Sequence, residues 1–342
     1  MSLKNSSARI RIPKSLKNKL KNQRIKQIYK RFEKTLDIDK NFAVAVSGGP
    51  DSLALAFLAK VYSIKKKLSP KFFIVDHKLR LESSKEARSV KKILKKFDIS
   101  SEILTWKGNK PSKNIQSISR NKRYELLFQR CDKLKIKNIL LGHHLDDLFE
   151  NFFIRMLRGS GLKGLISLDR KSKIGSKYLF RPLLNQKKEH LIFLSEFVFD
   201  FYIKDPSNDN EKFQRIKIRK FIKSLQKNGL DDKKFFKTIE NLKYSNQAIN
   251  FYVRENLEKN TFYSIKNHKL TLNKKFFLQP YEIVFRALSE SIQLIGKRYY
   301  SVRGKKLVKT MEDIRNNKSF RATLGGCMIE KVNQTVIISK ES

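Results

Sequence analysis

The sequence predicts an α/β protein: a parallel sheet with helices on both faces, followed by a smaller, mainly helical C-terminal part with short β-strands. Three observations carry this. Apolar runs of strand length at 42–46, 71–75, 102–106 and 138–141 alternate with segments of helical period, as βαβ units require. The polar clusters at 47–52, 76–80 and 143–147 each follow a strand, where ligands collect in such sheets. Beyond Gly229 the alternation stops. The expected division is a basic N-terminal extension over 1–38, a first domain over 39–229 and a second over 230–342.

The first strand, Phe42-Ala43-Val44-Ala45-Val46, runs into Ser47-Gly48-Gly49-Pro50-Asp51-Ser52 and then into a helix-like run. The glycines permit a tight turn that aims N–H groups at one point, and the helix N-terminus adds unpaired N–H groups and the positive end of a dipole. With the hydroxyls of Ser47 and Ser52, this is a cradle for phosphate. No Gly-Lys-Ser/Thr follows and the spacing is not Gly-x-Gly-x-x-Gly, which excludes a Walker loop and a dinucleotide fingerprint. Asp51 distinguishes the cradle from a plain turn. An acid inside an anion site makes sense if it holds a Mg²⁺ shared with the phosphates.

Onward, 84–97 is helical, with Ala87, Val90, Ile93, Leu94 and Phe97 on one stripe. The spans 115–134 and 145–158 are helical by period, the second ending at Gly159. A strand is expected over 178–184 and a helix over 187–199. The turn cluster Asp205-Pro206-Ser207-Asn208-Asp209-Asn210 leads into a basic stretch over 212–227. Helical periodicity then runs to about Leu257 and again over 280–294. The tail 320–339 reads as antiparallel strands broken at Gly325-Gly326 and Asn333-Gln334.

Composition narrows the partners. With 76 Lys+Arg against 32 Asp+Glu, the formal net charge is +44. A polyanion, nucleic acid before an anionic membrane, is the partner such a charge favours, although Lys-rich usage from AT-rich coding would raise it too. Two cysteines, Cys131 and Cys327, lie far apart with no Cys-x-x-Cys, which fits a reducing cytoplasm and excludes a cysteine-ligated cluster. No apolar run is long enough to span a bilayer. The basic segment 1–41 reads as a solvated helix feeding the first strand rather than a leader.

Beyond the cradle, His143-His144-Leu145-Asp146-Asp147-Leu148-Phe149-Glu150 places carboxylates three and four residues apart at a helix start, on one face. Taken alone, such a run serves equally as an N-cap with solvated acids. After a parallel strand and opposite a phosphate cradle, it reads as functional. Asp76-His77-Lys78-Leu79-Arg80 also follows a strand. Arg120 and Arg123, on a helix, could reach phosphates or the charge developing on them.

These motifs, together with Arg158-Gly159-x-Gly161-x-x-Gly164-Leu165, Arg181-Pro182-Leu183-Leu184 and Asp205-x-Ser207-Asn208, resemble the tRNA(Ile)-lysidine synthetases of the PP-loop ATP pyrophosphatases, over roughly 42–220. Ser119 and Asn151 depart from the common pattern. The resemblance implies that 39–229 is a Rossmann-like, ATP-binding catalytic domain and that 230–342 binds tRNA. It implies ATP at Ser47, Gly48, Gly49, Pro50, Asp51, Ser52, Asp76, His77 and His143, with Mg²⁺ between Asp51 and Asp147. Catalysis is expected from Asp51, Asp147, Glu150, Arg120 and Arg123. Arg298, Tyr299, Tyr300, Arg303, Lys305 and Lys306 are expected to contact tRNA. The implied reaction joins L-lysine to the wobble cytidine of an isoleucine tRNA with a CAU anticodon, through an adenylated base. Asp147 or Glu150 would hold the lysine cation or accept its proton. The alternatives are another PP-loop tRNA enzyme such as a thiolase, or a non-enzymatic RNA-binding protein.

Overall fold

The computed structural model describes residues 13–109, 111, 115–203, 214–297 and 302–341. The chain divides into two compact units, Met1–Gly229 and Leu230–Ser342.

The first unit opens with α1 (Lys14–Lys19) and α2 (Gln23–Thr35). Asn22 starts α2 by accepting from the N–H groups of Arg24 and Ile25 at 3.0 and 3.2 Å. Its Ile25, Ile28, Tyr29 and Phe32 recur at helical spacing and are all buried, as is Leu16 of α1. The described part of the basic N-terminal segment is helical. From Leu16 onward its apolar side belongs to the core of the first unit.

Then follow β1 (Phe42–Val46), α3 (Pro50–Lys66), β2 (Lys71–Asp76), α4 (Ser83–Lys95), β3 (Ser101–Thr105), α5 (Ile115–Lys133), β4 (Asn138–Leu140) and α6 (Leu145–Met156). After the short α7 (Leu162–Leu165) come β5 (Lys171–Ile174), β6 (Lys177–Phe180), α8 (Lys188–Phe199) and α9 (Gln214–Lys227). The sheet order is β3-β2-β1-β4-β6-β5, parallel except for β5, which pairs antiparallel with β6 as an edge hairpin. The expected strand over 178–184 stops at Phe180, and β5 was not foreseen: its Lys-Ser-Lys-Ile shows little apolar signal because it is an edge. Core residues of α3, α4 and α8 pack on one side of the sheet, and Leu127 and Cys131 of α5 pack with Phe73 and Ile139 on the other.

Strand order positions the site. The chain steps from β1 outward to β2 and β3, then returns to lay β4 against the other side of β1. The crevice where the order reverses opens beyond the carboxyl ends of β1 and β4.

The second unit has the 29-residue α10 (Asp232–Asn260), then β7 (Thr261–Ser264), β8 (Lys269–Leu272), α11 (Lys274–Phe277), α12 (Tyr281–Ile295) and α13 (Gly304–Asn316). It closes with β9 (Phe320–Leu324), β10 (Cys327–Val332) and β11 (Thr335–Lys340). The five strands form an antiparallel sheet, β7-β8-β11-β10-β9, whose inner residues pack with Val284, Leu288 and Ile292 of α12 and Leu307 and Met311 of α13. The helix α13 was not read from the sequence. Asp231, at the junction of the units, caps α10 by accepting from the Lys234 N–H at 2.8 Å.

Candidate functional site

The cradle forms as its sequence requires. Gly48 takes φ +88°, which an L side chain seldom adopts, and Pro50 occupies the first turn of α3, where no N–H is needed. A Cβ on Gly48 would stand 2.6 Å from Ile203 Cδ1 and 2.7 Å from Val90 Cγ2, and the Ile203 N–H donates to the Gly48 carbonyl at 2.9 Å. Ser52 organises the turn. Its Oγ accepts from the N–H groups of Ser47 and Gly48, at 3.0 and 3.1 Å, and donates to the Gly49 carbonyl at 2.9 Å. Those two N–H groups therefore close the loop on itself instead of facing a ligand. The first turn of α3, with Asp51 in it, is left to meet an anion.

Opposite, at the end of β4, His144 caps α6 and its imidazole lies among three acids. Nε2 is 3.5 Å from Asp51 Oδ2 and 3.5 Å from Asp147 Oδ2, and Nδ1 is 3.3 Å from Asp146 Oδ2. These are ion-pair separations, longer than well-formed hydrogen bonds. Burial opposes a charged ring, but Asp146, Asp51 and Asp147 outweigh it and raise the pKa to about 10. Asp146, despite the opposing effect of its own burial, is brought down to about 2 by His144 and by the Lys188 N–H, which its Oδ2 accepts at 3.0 Å. Asp147 closes the helix start by accepting from the His144 N–H at 3.0 Å. His143 is different. Burial dominates there and lowers its pKa to about 4, with Arg181 and Arg120 acting in the same direction against Asp147. One ring is thus a cation bridging acids, and its neighbour is neutral. Sequence reasoning chose His143; the signal for His144 was its N-cap position before two acids.

Asp51 and Asp147 meet across His144 Nε2. Asp51 Oδ1 is shut off from solvent and accepts no hydrogen bond, an anionic oxygen that calls for a cation. That fits Mg²⁺ held by a pair of carboxylates and substrate phosphates rather than by a protein cage. No group of three or more His, Cys, Asp or Glu placed to hold a metal ion occurs among the described residues.

The remaining expected residues divide. Arg123 Nε donates to His77 Nε2 at 3.4 Å, so these two meet beyond β2, where His77 also lies edge-on to Trp106. Arg120 is exposed, with its guanidinium 5.9 Å from the Tyr124 ring centre. Asp76 turns inward. Its Oδ1 accepts from the Lys78 N–H at 3.0 Å and Ser83 Oγ at 2.8 Å, and its Oδ2 accepts from Ser84 Oγ at 2.6 Å. Its carboxylate shapes the loop into α4.

Glu150 is buried, and Arg219 of α9 donates to it, Nε to Oε1 and Nη2 to Oε2, the latter at 3.5 Å. Arg219 was not singled out from the sequence, where it lay within a basic run. The three carboxylates of α6, expected on one face, thus part company toward α8, the crevice and α9.

In the second unit Arg303 precedes α13 and Lys305 and Lys306 are exposed in its first turn, where no acid is present. Arg298, Tyr299 and Tyr300 lie outside the described residues, as do Asp205, Ser207 and Asn208.

A PP-loop domain family matches residues 17–225. The tRNA(Ile)-lysidine synthase of Wolbachia pipientis wMel is 34% identical over 305 residues, which are 88% of this chain and 70% of that protein. This chain belongs to the tRNA(Ile)-lysidine synthase family. The lysidine synthases of the Wolbachia of Brugia malayi (strain TRS) and of Orientia tsutsugamushi (strain Boryong) are each 32% identical, covering 88% and 87% of this chain and 70% and 69% of theirs. Among solved structures, the U34-tRNA thiolase NcsA from Methanococcus maripaludis with its [4Fe-4S] cluster aligns with TM-score 0.56 and 19% identity, covering 65% of this chain and 78% of that one. That likeness is one of fold. Unlike a cluster-bearing thiolase, this lysidine synthase family member has only Cys131 and Cys327, both buried, one in each unit. Among the described residues no helix is long and apolar enough to cross a membrane.

Proposed function

We propose that this ATP-using, tRNA-modifying enzyme joins L-lysine to the wobble cytidine of the CAU-anticodon isoleucine tRNA, in the cytoplasm. The observation that carries the reading is the cradle at the end of β1, with the unpartnered Asp51 oxygen inside it and Asp147 facing it across His144. The names of the relatives and the motif order support the tRNA and the nucleotide.

In the proposed reaction cytidine O2 attacks the α-phosphorus of ATP and pyrophosphate leaves; the lysine ε-amine then attacks C2 and AMP leaves. The N-terminal turn of α3, which the Ser47–Ser52 turn holds in place, binds the phosphates, and Arg120 and Arg123 supply positive charge toward them. Asp51 and Asp147 would hold Mg²⁺, which neutralises phosphate charge when bound. His144, cationic, keeps those two carboxylates facing each other. A lysine amine has pKa ~10.4 and arrives as an ammonium, which an acid of α6 is suited to receive. Arg303, Lys305 and Lys306 bind tRNA phosphates at the exposed start of α13.

The test is nucleoside analysis of a CAU isoleucine tRNA after incubation with protein, ATP and lysine. Lysidine in place of the wobble cytidine supports the reading, and its absence from an otherwise folded, tRNA-binding protein refutes it. Pyrophosphate release with ATP and tRNA alone separates an enzyme from a passive RNA binder.

A further inference from the structure

The basic helices at the start of the chain take no part in the site above, yet they reach its edge. Their contacts with α8 step in opposite chain order. Lys19 Nζ donates to the Phe197 carbonyl at 2.7 Å, the Arg24 guanidinium lies 4.2 Å from the Phe193 ring centre, and Thr35 Oγ donates to the Pro182 carbonyl at 2.9 Å. The helix α2 therefore runs antiparallel to α8 and ends on the crevice side, where Leu183 pairs with His144 and the Lys188 N–H donates to Asp146. Near that end Arg24, Arg31 and Lys187 converge on His190. Burial, and then those charges, lower its pKa against the pull of Glu189.

Arg24, Lys26, Lys30, Arg31 and Lys34 of α2 are all exposed. The single acid of the helix, Glu33, accepts from the Tyr29 hydroxyl at 2.9 Å and from Lys65 of α3 at 3.4 Å. Among the described residues no acid forms an ion pair with any cation of α2. Lys26, Lys30 and Lys34 follow one another at i,i+4, where like charges repel by about 0.2–0.5 kcal/mol per pair. Folding gains nothing from that repulsion. Buried Ile25, Ile28, Tyr29 and Phe32 fix the helix and hold its cations on a rigid surface. Such a surface suits a polyanion, whose counterions it releases. Because α2 keeps all its apolar residues buried, it has nothing to insert into a bilayer, which favours RNA.

We propose that the outer face of α2, from Arg24 to Lys34, binds backbone phosphates of the substrate tRNA's anticodon arm beside the crevice. This rests on the lysidine reading above: a wobble base held in the crevice lays the strand on either side of it across the neighbouring surface. The face belongs to the first unit, so an anticodon stem–loop by itself should sense it.

The experiment compares two triple variants of the full chain with equal loss of charge. One is Lys30→Gln, Arg31→Gln, Lys34→Gln on α2; the other is Lys91→Gln, Lys92→Gln, Lys95→Gln on α4, whose lysines are also exposed. Filter binding is measured over a salt series with the CAU isoleucine tRNA and with its isolated anticodon stem–loop. At a salt exponent of about 0.7–0.9 per phosphate, each contact is worth about five- to eightfold at ~0.1 M salt. Loss of two or three contacts should therefore raise Kd for both RNAs about twentyfold or more, and lower the slope of log K against log salt by about 0.7–0.9 for each. The α4 variant should stay within about threefold of the parent, because charge away from the contact is screened. At saturating tRNA the α2 variant should adenylate at the parent rate. Its urea midpoint should be unchanged or slightly higher, since the i,i+4 repulsion is relieved. Equal weakening by the two variants, which would mean bulk charge alone, overturns the proposal, and so does weakening for the whole tRNA with none for the stem–loop. Unchanged RNA binding overturns it as well, and loss of binding to phosphatidylserine vesicles instead would assign the face to a membrane. If the parent makes no lysidine on this tRNA, the lysidine reading fails, and the same binding comparison still decides whether α2 holds RNA.

Discussion

Two adjacent glycines in the cradle should respond in opposite ways to the same added methyl group. Gly48 sits at φ +88°, and a Cβ there would stand 2.6 Å from Ile203 Cδ1 and 2.7 Å from Val90 Cγ2. Val90 is fully buried in the core and has little room to retreat. A left-handed backbone costs an L residue about 1–2 kcal/mol, and forcing a methyl into packed surroundings costs about 1–3 kcal/mol. Less the small gain from a stiffer unfolded chain, Gly48→Ala should destabilise the first unit by about 2–4 kcal/mol. Gly49 has φ −71° and ψ 163°, open to any residue, and its added Cβ would find only Ser47 Oγ, at 3.9 Å. Gly49→Ala should be neutral or gain up to about 1 kcal/mol. The assay is urea unfolding followed by fluorescence of Trp106, the one tryptophan, which is buried in the first unit. Equal midpoint shifts for the two variants would refute this account of the turn.

Three further outcomes are expected. Asp51→Asn should abolish pyrophosphate release and leave tRNA affinity within about twofold, as filter binding and a pyrophosphate assay would show, since a neutral amide cannot replace an anionic cation ligand. Asp76 is buried, but hydrogen bonds from Ser84, Lys78 and Ser83 outweigh burial and hold its pKa below the ordinary value. Its folded-state pKa being depressed, the stability it contributes is present above pH ~4 and disappears as pH falls through the folded value, so Asp76→Asn should lower the urea midpoint at pH 7 and flatten its acid dependence. Reversing charge at Arg303 and Lys305 should weaken tRNA binding and reduce the slope of log K against log salt by about 0.7–0.9 for each phosphate no longer neutralised, and an unchanged slope would make that helix start a solvated face.

Local chemistry was legible in the sequence because it is written at short range. The strand–turn–helix at 42–66 follows from an apolar run, two glycines and a proline. The tail hairpins follow from Gly325-Gly326 and Asn333-Gln334, and the break between α9 and α10 from Gly229 and the capping Asp231. What escaped lacked such a pattern. The edge strand β5 alternates lysines with little apolar content, and β7 exposes Phe262 and Tyr263 instead of burying one face. The start of α13 is so basic that it read as a binding stretch rather than as a helix.

The site divides along the same line. The sequence by itself determined which groups stand at the strand ends, because a turn after a strand is a local event: the Ser-Gly-Gly-x-Asp-Ser cradle, the His-His-x-Asp-Asp helix start and the Asp76 loop. The tertiary structure decided what each group does. Placing β4 beside β1 brought Asp51 and Asp147 to one imidazole, and that imidazole is His144 because the cap position, not His143, points its ring between them. Ser52 claimed two N–H groups that the turn alone would have left for a ligand. Docking of α9 gave Glu150 a guanidinium from 69 residues away. A buried charge must find its counter-charge wherever the chain brings one close, and hydrophobic periodicity carries no record of which distant residue that will be.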